Sequence, residues 1–67
     1  MLIQVSDGTW LDPFKIVSIR AFKEPGRAPF IIVTTSVEYS YVRGFETYEE
    51  AIAERDKIAV LVNIAIG

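Results

Sequence analysis

The sequence predicts an α+β domain: a four-stranded antiparallel meander in hairpin order, then one C-terminal helix packed on one face (β-β-β-β-α). Three observations carry this. Residues 1–45 hold short β-branched and aromatic runs, broken by Asp7-Gly8, Asp12-Pro13 and Glu24-Pro25-Gly26. Thr47-Tyr48-Glu49-Glu50 has the form of a capping box. No proline or glycine follows it until Gly67. With 67 residues the chain has room for one domain, read as 1–67, with the sheet in 1–45 and the helix in 46–67.

Met1 to Val5 reads as the first strand. Asp7-Gly8 is the dipeptide of a type I′ hairpin, in which both central residues need positive φ. Thr9-Trp10-Leu11 begins the return. Asp12-Pro13 interrupts it, because proline cannot donate to a ladder and biases the residue before it away from helical angles. An edge position or a bulge is expected there. Phe14 to Phe22 resumes as a strand, with Val17, Ile19 and Ala21 on one side and Ile16, Ser18, Arg20 and Phe22 on the other.

Glu24-Pro25-Gly26 predicts a type II turn: proline presets φ at the first central position, and glycine accepts positive φ at the second. Phe30 to Thr35 is a continuous β-branched run, expected to be the central strand and covered on both faces. A weaker turn falls near Ser36. Val37 to Val42 is the fourth strand, with Tyr39 and Tyr41 on one face.

At 100° per residue the helix has an inner stripe of Tyr48, Ala51, Ile52, Ile58, Ala59, Val62 and Ile66. Opposite it, Glu49, Glu50, Ala53, Glu54, Asp56 and Lys57 give way to Val60, Leu61 and Ile64. From Ile58 to Ile66 only Asn63 is polar. A small domain has one core and cannot cover such a segment on every side. The preferred reading is a homo-oligomer interface at Val60, Leu61 and Ile64, since exposed apolar clusters usually mark contacts. The alternative is that a curled sheet or the N-terminal strand wraps the helix end.

Arg55 falls inside the inner stripe. A charge there must be paired or must reach the stripe's edge. It either snorkels to a sheet carboxylate such as Asp12 or Glu38, or aims its guanidinium at a ligand or partner. Trp10, Tyr39 and Tyr41 could line an exposed sheet face and bind a protein partner. They could equally be ordinary core or half-exposed residues.

Composition narrows the chemistry. There is no cysteine and no histidine, which excludes disulfides and any thiolate- or imidazole-based metal site. No cofactor is expected. No nucleophile motif, P-loop or dinucleotide fingerprint occurs. The carboxylate pairs Asp7/Asp12 and Glu49/Glu50 are accounted for by a turn, a strand break and a helix start. The expectation is a non-enzymatic protein. Association is the remaining reinforcement for so small a domain, and a mean hydropathy of +0.30 is high for a small soluble monomer.

The net charge of −2 favours neither DNA nor acidic membranes in bulk. Residues 1–45 hold five basic and four acidic side chains, and residues 46–67 two and five. Arg20, Lys23 and Arg27 flank the Pro25-Gly26 turn with Phe22 and Phe30 nearby. A basic hairpin with aromatics can track phosphates and stack bases. This makes a small-ligand or single-stranded nucleic-acid binder the alternative function, but Glu24 sits inside the cluster and a solvated hairpin tip explains it better. The apolar N-terminal stretch is too short and lacks the basic leader of a secretory signal. The C-terminal run is about half of the roughly 20 residues that a membrane span needs. A cytoplasmic protein with no membrane span is expected.

The order of features resembles the small flagellar-motility proteins of the FlbD/SwrD type. The residues that carry the resemblance are Met1 to Val5, Gly8, Leu11-Asp12, Lys15-Ile16-Val17-Ser18-Ile19, Glu24-Pro25, Ile32-Val33-Thr34-Thr35, Val42-Arg43 and Glu50-Ala51-Ile52. Ser36 stands where those proteins usually place a turn glycine. Gly26-Arg27-Ala28-Pro29 and the apolar tail have no counterpart there. The resemblance implies the strand-and-helix order more than a flagellar role. In size and lack of cysteine the chain is also similar to bacteriophage accessory proteins that bind and inhibit a host protein. The leading expectation is therefore a self-associating protein-interaction module of accessory or regulatory type.

Overall fold

The structure, a computed structural model, describes residues 1–37 and 39–67. It contains β1 (Ile3–Ser6), β2 (Thr9–Leu11), a 3₁₀ turn (Pro13–Lys15), β3 (Ile16–Phe22), β4 (Phe30–Thr35), β5 (Ser40–Gly44) and α1 (Tyr48–Ile66). The class is α+β, with antiparallel strands and one C-terminal helix.

The single four-stranded meander is corrected. The strands form two sheets, a β1–β2 hairpin and a three-stranded β3-β4-β5. The cause lies at Asp12-Pro13. Asp12 is extended, and its side chain accepts from the Phe14 N–H at 3.0 Å. Pro13 then opens a 3₁₀ turn, closed by the Lys15 N–H donating to the Asp12 carbonyl at 3.0 Å. The break expected there is therefore a full turn, and it separates β2 from β3. Pro13 is buried, so the turn is anchored as well as bent.

The Asp7-Gly8 hairpin forms, but not as a type I′ turn, because Gly8 does not take positive φ. A register shift between Gln4 and Ser6 leaves Val5 as an extra residue in the pairing. A bulge strengthens local twist, so it can supply the twist that an I′ turn would otherwise provide. The Glu24-Pro25-Gly26 turn is as expected: Gly26 has φ 74°, and the Arg27 N–H donates to the Glu24 carbonyl at 3.3 Å.

A second register shift, between Ile16 and Ser18, bulges Val17. It changes the expected faces of β3. Ile16, Ile19 and Ala21 pack toward the core, while Val17 is 67% exposed. β5 starts at Ser40 rather than Val37, because Thr35 turns back on itself. Its N–H and its hydroxyl both donate to the Tyr39 carbonyl at 2.9 Å.

β4 is the central strand with the expected bounds, but only one of its faces is fully covered. Ile31, Val33 and Thr35 are buried, whereas Ile32 and Thr34 on the other face stay half-exposed. β-branched residues suit any pleated surface, so the run did not require two covering layers.

The capping box holds α1 at its start. The Glu50 N–H donates to Thr47 Oγ1 at 3.2 Å, and the Thr47 N–H donates to Glu50 Oε1 at 3.1 Å. The Gly67 N–H closes the far end on the Asn63 carbonyl at 2.9 Å. The helix lays Ala51 and Ile58 onto Ile31 and Val33, and Ile3 and Val5 of β1 complete the same core.

Candidate functional site

The apolar stripe of the helix packs on β3 and β4, with Ile3 and Val5 of β1 joining Ala51 and Ile58 in the same core. Leu61 and Ala65 pack against the core, and Ile66 of the expected inner stripe is 48% exposed instead. Of the three residues assigned to an oligomer interface, Leu61 thus faces inward. Val60 and Ile64 point to solvent at 55% and 70% exposure. Ile3 and Val5 of the N-terminal strand share the core with Ile58, and these two side chains stay uncovered.

Arg55 pairs with its own neighbour. Its Nε donates to Asp56 Oδ1 at 3.0 Å, and its Nη2 lies 3.0 Å from the same oxygen. Asp12, one of the expected partners, is occupied in its turn. The other, Glu38, lies outside the described residues. Arg55 precedes Ala59 and Val62 by four and seven positions, so the three share one helix flank. That flank faces β3.

The aromatic trio does not form one surface. Trp10 is exposed on the outside of the β1–β2 hairpin, opposite Gln4. Tyr39 is exposed just before β5. Tyr41 pairs with Val33 and packs against the core.

Two of the three basic hairpin residues are engaged. The Arg27 guanidinium sits 4.2 Å from the Phe30 ring centre and 3.9 Å from Glu24 Oε2. Lys23 Nζ lies 5.8 Å over the Tyr48 ring. Phe30 is itself buried, stacked on Phe22 at 5.1 Å. The aromatic face that a base would use is therefore already filled.

Two hollows lie beside the helix. One, of about 140 Å³, lies between β1, β5 and the helix, where Arg43 and Lys57 meet Asp7 and Glu54. Its charges of both signs neutralise one another. Arg43 Nη1 is 3.6 Å from Glu54 Oε2. The other is an open groove of about 270 Å³ between β3 and the helix, lined by Ile16, Val17, Ile19, Ala59, Val62 and Asn63. Sequence reasoning missed it, because the groove depends on the Val17 bulge and on the rotation of the helix. The adjoining Phe14 is 72% exposed, for it belongs to the 3₁₀ turn and not to a strand.

No cluster of acidic residues among those described could hold a metal ion. Among the described residues, no helix is long and apolar enough to cross a membrane. The chain matches no family model, no curated protein and no solved structure.

Proposed function

We propose that the chain is a non-catalytic interaction module that associates with itself and binds a protein partner, as a bacterial or phage accessory protein would. The observation that carries this reading is the outward exposure of Val60 and Ile64, one turn apart on the helix. Phe14, Val17, Trp10 and Val42 add further exposed apolar surface to a very small domain. Fully burying one large apolar side chain is worth about 1.5–3 kcal/mol. Contacts from two copies therefore have the scale needed to offset part of the entropy of association.

Nucleic-acid binding through Arg20, Lys23 and Arg27 has weaker support, since Arg27 is held between the Phe30 ring and Glu24. Phosphate contacts weaken steeply with salt and apolar contacts do not, so filter binding to an oligonucleotide across salt separates the two readings. For self-association the direct test is Ile64→Glu. The variant should keep its helical circular-dichroism signal and lose native mass. Retained oligomer mass in a folded Ile64→Glu protein would remove this interface.

A further inference from the structure

The β3 edge of the three-stranded sheet combines three features. First, among the described residues β3 pairs only with β4, so its other side is an edge. Among the described residues, no backbone hydrogen bond outside the strand ladder involves Ser18–Phe22. A strand edge of this kind is a template for another extended chain. Second, the groove of about 270 Å³ runs beside this edge, floored by Ile16 and Ile19 and walled by Ala59, Val62 and Asn63. A side chain from an added strand would fall into it. Third, the segment is basic. Pro13 to Lys23 contains Lys15, Arg20 and Lys23 and no acid. Arg55 flanks it from the helix, paired with Asp56.

The charge pattern selects the occupant. A second copy of β3, paired antiparallel about Ile19, would set Lys15 opposite Lys23 and Ser18 opposite Arg20. Like charges directly opposite are destabilising, and edge cations are a common guard against such pairing. The same cations favour a strand that carries carboxylates.

We infer that the Ser18–Phe22 edge of β3 docks an extended acidic peptide by strand addition, with alternate apolar side chains in the groove against Ala59 and Val62 and carboxylates toward Arg20 and Lys23. This rests on reading the chain as an interaction module, but not on its self-association.

The test uses the full chain and three probes. These are a capped decapeptide alternating valine and glutamate, its valine–lysine counterpart, and a thymidine decanucleotide. Amide hydrogen exchange is read residue by residue, and native mass is measured on the same samples. The valine–glutamate peptide should slow exchange within Ser18–Phe22, and the valine–lysine peptide should not. Arg20→Glu, at an exposed position, should weaken the effect by about tenfold or more while the fold persists. Lys23→Glu should act in the same direction. Absence of protection with either peptide, or equal protection by both, would overturn the inference. So would binding by the oligonucleotide alone. A monomeric native mass with peptide protection intact would remove the self-association reading and leave this one standing.

Discussion

The Arg43 guanidinium donates to the Val5 carbonyl at 3.3 Å, across 38 residues of sequence. This bond ties the β1–β2 hairpin to β5 of the other sheet. The same nitrogen lies 3.6 Å from Glu54 Oε2 on the helix, so one side chain joins three elements. Val5 sits at the bulge of β1, where a pairing register shift leaves its backbone out of step with β2. Arg43→Met should therefore cost about 1 kcal/mol, the net worth of a typical hydrogen bond. The ion pair adds little, since the Arg43 side chain is 39% exposed. Urea denaturation reads it, and an unchanged midpoint would mean that the hairpin is held by Ile3 and Val5 alone.

The helix start makes a separate prediction. Thr47→Ala removes the acceptor of the Glu50 N–H. The expected loss is about 1 kcal/mol of unfolding free energy. Because small domains are marginally stable, thermal melting should show it clearly.

The rotation of the helix can be read from paired truncations. Ile58→Ala should cost about 2–5 kcal/mol, because Ile58 is fully buried. Val60→Ala should stay within about 0.5 kcal/mol in the monomer, as substitutions away from packed contacts do. Similar losses at the two positions, measured under monomeric conditions, would contradict the orientation described here.

Gly26→Ala probes the hairpin turn. Nothing lies within 4 Å of the added Cβ, so the cost is conformational and not steric crowding from neighbours. With φ at 74°, an L-residue is strained by about 1–2 kcal/mol. Gly8→Ala, which has neither a positive φ nor a close neighbour, should be nearly neutral in the same denaturation assay.

Local chemistry was legible in the sequence where a few adjacent residues decide it. Thr47 and Glu50 specify their own capping box, and Pro25-Gly26 specify their own turn. β4 was readable from its β-branched run, with its bounds intact. What failed depends on contacts between distant segments. The phase of the helix depends on the β1, β3 and β4 residues that share the core with Ala51 and Ile58, and 100° periodicity within the helix cannot see them. Leu61 was assigned outward for that reason. The split into two sheets follows from how tightly Asp12 and Pro13 turn, and a strand break was the most the dipeptide could suggest. The two bulges, at Val5 and Val17, change which side chains share a face. They carry no marker such as glycine. The groove beside β3 was invisible for the same reasons.

Self-association through the exposed apolar side of the helix, as proposed above, rests on Val60 and Ile64. Native mass by light scattering across a wide concentration range tests it most directly. The mass should rise to a dimer or larger species with concentration, and fall back to the monomer in Ile64→Glu. A wild-type mass that stays monomeric throughout the range would contradict it.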